Sequence, residues 1–484
     1  MRNSKLTKAI LAVVAIAAMV TGCTRTQEAF EPEYIGGYPT EETAQRMFEE
    51  YDYQAATQFY VWAYTMLNNI GMSKGYEKMG GDERSIYTFD KRIQPQHVVM
   101  TANTEVVYNW TRLIDLSKGP VVLVAPPKTR GVIYDISSRG LVDTGDQGPD
   151  KGQGGKYLVL PHDYDGEIPD GYFPVYSKWS NLVMSVVRSF PAAEGGDEGA
   201  VQRGGEMKWY YLSEAANPPE NTQVLIGDRP YSQDWPRDAE AFVWIAESFN
   251  RDIVPESAKA HLGNMRRLGL IKGQPFAPDE RAQRILERAA KTGKGIVLSM
   301  AFYNRQEFTR VYEDRRYDSI FYVRNPQFFE DYYEEVEGRT GSWHQLVGNP
   351  SEYIPATPGT GAFYMNTFRD SDGNLLMGQN RYRLRVPPEV PVAQFWQIPV
   401  YDVERRAMIS TDQNRPALSG TDDLIKNTDG SIDIYFGPKA PDGYEKNWIK
   451  TIPDEGWFTL PRLFGPLEPV LDKTWRWNDI EKIN

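Results

Sequence analysis

The chain has 484 residues, a formal net charge of −12, 13% aromatic residues and a single cysteine. An acidic chain without a basic stripe excludes nucleic acid as a partner, because phosphate backbones require clustered Lys and Arg. One cysteine excludes an internal disulfide, so stability rests on hydrophobic cores, and this length has room for two to four domains.

Residues 1–22 read as a signal peptide. Arg2, Lys5 and Lys8 make a positive start, and an apolar run follows over residues 9–20. That run is too short to span a bilayer, which needs about 20 residues. Val20-Thr21-Gly22-Cys23 then places small residues before the cysteine, the pattern of a lipid-bearing Cys23. Such a lipid is the expected link to a membrane. The expected location is the bacterial cell envelope: exported and lipid-anchored, at the outer membrane or periplasmic face of a Gram-negative cell. Loss of the leader removes three basic groups and no acidic ones, which takes −12 to −15.

Residues 23–39, broken by Pro32, Gly36, Gly37 and Pro39, read as a lipidated tether. Thr40 is placed to cap a helix with Glu41 and Glu42 in its first turn. Met47, Tyr51, Ala55, Phe59, Trp62, Met66 and Ile70 then recur every three or four residues as one apolar face, and Gly71 is a natural stop. Short β-branched and aromatic runs at 106–116, 121–125, 132–136, 157–160 and 182–190 alternate with Gly, Pro and Asp turns, the pattern of a β-sandwich. Residues 192–205 read as an exposed, glycine-rich insertion. These features define a first domain over 40–206.

A helical connector is expected over 207–354. Phe242, Ile245 and Phe249 share one face after Pro236, and Ala282, Ile285, Leu286 and Ala289 share another. Helical spacing resumes at 300–308, and a short helix is predicted over 328–337. The β pattern returns over 355–484, with runs at 363–369, 381–386, 395–401, 432–436 and 457–463. The expected class is mainly β with a helical connector.

Two blocks of motifs carry a family resemblance. The first comprises Asn103-Thr104-Glu105-Val106-Val107-Tyr108, Leu116-Ser117-Lys118-Gly119-Pro120-Val121-Val122, Ile133-Tyr134-Asp135 and Gly154-Gly155-Lys156-Tyr157. The second comprises Arg369-Asp370-Ser371-Asp372-Gly373, Pro387-Pro388-Glu389-Val390-Pro391-Val392, Phe395-Trp396, Asp429-Gly430-Ser431, Asn447-Trp448 and Arg462-Leu463-Phe464-Gly465-Pro466. The first resembles the bacterial domain of unknown function 1254 and the second its usual partner, domain of unknown function 1214. After Phe395-Trp396 this chain has Gln397-Ile398-Pro399 where Ser-Leu-Thr is usual, and a proline there suggests an edge or a bulge. The resemblance implies an immunoglobulin-like β-sandwich, an α-helical middle region and a jelly-roll-like C-terminal domain. It implies no catalytic residues.

His97, His162, His261 and His344 show no zinc-site spacing, so no metal site is expected. Asp370-x-Asp372-x-Asn374 begins like a calcium loop, but Leu375 occupies the position that requires glycine, and Asp-Gly reads as a hairpin turn. Gly152-Gln153-Gly154-Gly155-Lys156 lacks the phosphate-loop spacing and precedes a strand, so no cofactor is expected. The catalytic candidates are His97, Asp135, Arg139 and Asp143. Asp135 and Asp143 would serve as acid and base in glycoside hydrolysis at a separation of about 5–10 Å. Asn103, Tyr108, Trp110, Trp396 and Tyr401 are the candidate ligand contacts. The functional expectation is a lipid-anchored extracytoplasmic protein with a small-molecule or glycan ligand in a cleft between the β domains. Hydrolysis is one use of such a cleft, and a homo-oligomer is compatible with it. The alternative is a non-catalytic envelope scaffold or protein-interaction lipoprotein.

Overall fold

In a computed structural model, which describes residues 30–191, 195–322, 325, 327–345 and 357–484, the predicted helix start is in place. Thr40 Oγ1 accepts the Thr43 N–H at 3.2 Å, and helix α1 runs from Glu41 to Lys78. The chain forms two units, Met1–Tyr51 and Asp52–Asn484. In the first, Tyr34–Ile35 pairs with Tyr38–Pro39 across Gly36 and Gly37, both at positive φ. The stretch read as tether therefore contains a two-residue hairpin, for which Gly-Gly is a standard loop. Cys23 and the leader lie outside the described residues.

The helix does not stop at Gly71. A side chain there would place Cβ 2.3 Å from the Gln233 carbonyl oxygen, and one at Gly75 would stand 2.4 Å from that of Ser232. Both glycines let the 231–233 segment lie directly on α1. Glycine at a close backbone approach and glycine at a helix end give the same one-letter signal.

Within the second unit, a seven-stranded sheet is ordered Gln223–Leu225, Ile86–Thr88, Val107–Thr111, Leu182–Ser189, Thr129–Asp135, Gly140–Gly145, with Ile114–Asp115 joining beside Leu182–Ser189. A four-stranded sheet, Phe173–Tyr176, Gly155–Leu160, Val121–Ala125, Lys208–Tyr211, faces it across a core of Ile133, Val183, Val187, Leu123, Val159 and Trp209. The other face of the larger sheet is also covered. Trp110, Val132, Tyr134 and Val186 pack with Met72 and Tyr76 of α1 and with Tyr401, Met408 and Phe458. Double coverage explains why Thr129–Asp135 is buried at every residue.

Residues 207–224, read as part of the connector, contribute strands to both sheets. The aromatic run Trp209-Tyr210-Tyr211 suits a pleated, half-buried surface. The segment read as an exposed insertion contains helix α2 (Gly196–Gly205), whose Gly204 sits against Asn109 so closely that a Cβ would meet its amide.

Helices α3 (Glu240–Arg251), α4 (Glu256–Met265) and α5 (Glu280–Phe302) pack on α1 through Phe59, Leu67, Phe242, Ile245, Phe249, Leu286 and Ala289. The two helical stretches predicted around 279–308 are one continuous helix ending at Phe302. The helix predicted over 328–337 is displaced: Phe328 has φ +65°, and α6 begins at Val336, capped by Glu335, whose carboxylate accepts the Gly338 N–H at 3.0 Å. A carboxylate at the N-cap outweighs the aromatic periodicity upstream.

The last region pairs a sheet of Asp318–Ser319, Ala362–Asn366, Arg462–Pro466, Val392–Asp402 and Ala417–Ser419 with one of Trp448–Lys450, Ile432–Gly437, Arg381–Val386 and Ile480–Ile483. Leu384, Ile398, Val400, Ile434, Phe436 and Leu463 form their shared core. Pro399 lies in the interior strand, and the bulge falls earlier, between Val392 and Phe395. A short helix, α7 (Glu468–Leu471), follows. Helix and strand each account for 27% of the described residues, which hold seven helices, so the class is mixed rather than mainly β. None of the described helices is long and apolar enough to cross a membrane.

Candidate binding site

The predicted ligand contacts separate into two places. The 101–105 loop lies against the C-terminal sheet, where Tyr401 Oη donates to the Ala102 carbonyl at 2.6 Å and Arg462 donates to Tyr401 Oη at 2.9 Å. Asn103 N–H donates to Tyr108 Oη at 3.1 Å, and Trp110 stacks behind Tyr108 at 6.0 Å. Gln397 reaches Thr104, and Arg415 pairs with Glu105 at 2.9 Å. These groups are bonded to one another across the junction. Trp396 is elsewhere, packed against Trp477. It lies five residues before Tyr401 on the same strand, and an odd spacing puts the two on opposite faces.

His97 is buried, with Nδ1 accepting the Gln94 N–H at 3.1 Å and its ring edge-on to Phe89. Asp143 stands opposite Val132 while Asp135 stands opposite Val183. Three residues therefore separate the two aspartates along the strand direction, about 10 Å at the strand rise. The Asp370 carboxylate accepts the Asn374 N–H at 2.9 Å and so closes the predicted turn.

Asp135 and Arg139 belong to a buried charge network. The turn between them is closed by Ser138 at φ +68°, with Arg139 N–H donating to Asp135 Oδ1 at 2.9 Å. The Arg139 guanidinium spans Asp135, at 3.4 Å, and Glu334, at 2.8 Å, beneath Phe329 and Trp179. Glu334 also accepts from Arg339 and from Trp62 Nε1. Burial pushes the Asp135 carboxyl up against the pull of Arg139. Burial acts the same way on Glu334, but Arg339 and Arg139 together hold it below the usual carboxylate range. Two cations and two anions balance, which is the arrangement a buried ion network needs.

Nearby, Asp252 accepts from Ser180 Oγ and Asn181 N–H, each at 2.6 Å, and from Ile253 N–H at 2.8 Å. Burial still pushes its carboxyl up to about 6, with the Asp135 charge acting in the same sense.

A second cluster is not balanced. Arg406 is 1% exposed, has φ +58°, and its side chain makes one long hydrogen bond among the described residues, from Nη1 to the Trp343 carbonyl at 3.5 Å. Its guanidinium lies 5.0 Å from the Trp235 ring. Asp234 and Asp402 act on it only at longer range, since Asp234 pairs with Arg237 and Asp402 with Arg405. Beside it, His344 Nδ1 lies 3.2 Å from Tyr64 Oη, with Phe302 edge-on to the ring. Burial, reinforced by Arg406 and Arg237, holds His344 well below the ordinary imidazole value, so it is neutral. His344 Nε2, Tyr60 Oη, Trp235 Nε1 and Arg406 Nε are buried without a hydrogen-bond partner among the described residues. A buried donor left unpaired costs about 1–3 kcal/mol and an unpaired buried charge more. Four such atoms in one neighbourhood mark a polar cluster whose hydrogen bonds are unmade among the described residues.

Sequence reasoning did not single out Tyr60, Tyr64 or Arg406, and it considered His344 only for zinc spacing. One signal was present: Tyr60, Tyr64 and Asn68 put polar tips at i, i+4 and i+8, on one face of α1. Arg406, inside Glu404-Arg405-Arg406, reads as an ordinary solvated charge.

Comparison with known proteins places the sequence blocks. The family described as protein of unknown function (DUF1254) matches residues 85–207, and protein of unknown function (DUF1214) matches residues 361–468, so the chain carries both in that order. The chain is similar to a solved structure of the VPA0106 protein from Vibrio parahaemolyticus, at 17% identity and a TM-score of 0.52, over 90% of this chain and all of that one. That likeness concerns the fold. A structure of a putative uncharacterized protein from Burkholderia cenocepacia aligns at 11% identity and a TM-score of 0.33, over 91% of this chain and 96% of that one. No curated protein gives a significant match.

Proposed function

We propose that this chain, in which the two families of unknown function are paired, is an exported, lipid-anchored envelope protein that binds a small polar molecule. The ligand, a monosaccharide-sized glycan unit included, sits in the chamber formed by α1, the end of α6, Trp235 and the turn carrying Arg406. The observation that carries the reading is the set of buried atoms there without a partner among the described residues: Tyr60 Oη, Trp235 Nε1, His344 Nε2 and Arg406 Nε. A ligand with matching donors and acceptors recovers the cost of leaving them unmade. The leader and Cys23 support the location. The residues at the junction of the two β regions, Asn103, Tyr108 and Tyr401, then act by fixing how the regions meet. A binder is favoured over a hydrolase, because Asp135 and Arg139 are engaged in a balanced network. The finer fold reading, an immunoglobulin-like sandwich followed by a jelly roll, rests on the facing sheet pairs and the family order.

The test is a thermal-shift screen of the mature protein against sugars, sugar acids, amino acids and organic acids. A compound that raises the melting temperature of the parent, but not of Tyr60→Phe or His344→Phe, supports the chamber. If no compound shifts the parent, the scaffold alternative replaces it. Anchoring is checked separately. Cys23→Ser should lose lipid labelling and detergent-phase partitioning, and unchanged partitioning overturns that part.

A further inference from the structure

We infer that the molecule taken by this chamber is a small carboxylate, clamped by the free edge of Arg406. The inference rests on the chamber reading and adds the ligand class. Arginine cannot shed its charge in a protein, so a buried guanidinium must meet an anion or several carbonyls. Of the arginines fully buried among the described residues, Arg139 meets Asp135 and Glu334, and Arg339 meets Glu334 and the Trp62 carbonyl. Among the described residues Arg406 makes one side-chain hydrogen bond, the long one to Trp343, and no ion pair within 4 Å.

Geometry narrows the anion. Nη1 is turned to the Trp343 carbonyl and Nε has no partner among the described residues. What remains is the edge formed by Nε and Nη2, whose two parallel N–H groups match the two oxygens of a carboxylate. Asp402 does not fill that edge. It is held by the Arg405 N–H at 2.6 Å and faces the Arg405 guanidinium at 3.7 Å. If Tyr64 Oη donates to His344 Nδ1, His344 Nε2 carries a hydrogen for the same ligand. Trp235, against which the guanidinium already lies, supplies an apolar wall for the rest of the molecule.

The experiment titrates the mature protein with acetate, benzoate and glucuronate, with inorganic phosphate, and with glucose as the neutral probe, followed by calorimetry and melting. At least one carboxylate should bind and raise the melting temperature. Arg406→Met should lose about tenfold or more in affinity for it, the equivalent of one charged hydrogen bond. Without ligand, Arg406→Met should melt no lower than the parent, because a buried charge with one long hydrogen bond has been replaced by an apolar chain of similar length. Arg406→Lys keeps the charge but not the planar fork. It should fold and bind the carboxylate more weakly, which provides the test if the methionine variant does not fold. Binding of phosphate or glucose without any carboxylate overturns the carboxylate assignment and leaves the chamber standing. A carboxylate shift retained in both variants also overturns it. If none of the probes and none of the screened compounds bind, the chamber reading itself falls.

Discussion

The backbone N–H of Thr101 donates to the carbonyl of Arg406 at 2.7 Å, and both residues are held in the left-handed region, at φ +42° and +58°. One bond thus ties the loop that opens the first sequence block to the turn that carries the buried guanidinium. Left-handed backbone costs of order 1–3 kcal/mol for a residue with a side chain, and most for a β-branched one. Strain of this kind persists where the surroundings over-determine it, and here it sits at the buried Arg406 cluster.

The strain gives a prediction with an unusual sign. Glycine elsewhere in ordered structure is less stable than alanine, but at φ +42° it carries no Cβ penalty. Thr101→Gly should therefore be more stable than Thr101→Ala by about 1 kcal/mol, read from urea denaturation midpoints of the two variants. The ordinary order, alanine above glycine, would show that this backbone conformation is not held in solution.

Gly71 and Gly295 are both helical glycines in different company. A Cβ at Gly71 meets the Gln233 carbonyl at 2.3 Å, whereas at Gly295 nothing lies within 4 Å. Gly71→Ala should cost about 1–3 kcal/mol through overpacking. Gly295→Ala should add up to about 1 kcal/mol through helix propensity. Melting temperatures that move in the same direction for both would contradict the close contact of α1 with the 231–233 segment.

Asp252 makes stability depend on pH. Its carboxyl stands at about 6 in the fold, against about 3.9 in an unfolded chain. As pH rises from about 4 to about 6 the unfolded state releases this proton first, so this group's contribution declines across that window and stays low above it. Asp252→Asn should match the parent near pH 4 and exceed it at pH 7. The excess should reach at most about 3 kcal/mol, because a tenfold change in proton affinity is worth about 1.4 kcal/mol and the fold changes it about a hundredfold. The asparagine still offers an oxygen to the Asn181 N–H. A gap between variant and parent that does not vary with pH, in denaturation at the two values, would refute the raised carboxyl.

Removing Arg139 should take from buried Asp135 its ion-pair partner and from Glu334 one of its two arginines. Arg139→Ala is expected to lose about 3–5 kcal/mol. Any ligand found for the Arg406 chamber should still protect the fraction that folds. A variant that melts like the parent would return Arg139 to the functional candidates.

Local signals were legible in the sequence because their causes are local. Thr40 caps α1, Phe242, Ile245 and Phe249 turn one way, and the Asp370 turn closes on Asn374, each decided by residues within a few positions. The order of the two family blocks was legible for the same reason, since each is a string of short motifs. Even the separation of Trp396 from Tyr401 could have been read from their odd spacing. Tertiary structure alone decided what those elements meet. Gly71 looks like a helix end until the 231–233 segment lies on it. Arg406 looks solvated until Trp235 and Trp343 close over it. The bonds that define both buried clusters join residues far apart in the chain, 195 positions from Arg139 to Glu334 and 280 from Tyr64 to His344. Periodicity states which face of an element turns inward, but the burial of a charge is set by the groups brought opposite it, and those are chosen by the packing of the whole second unit.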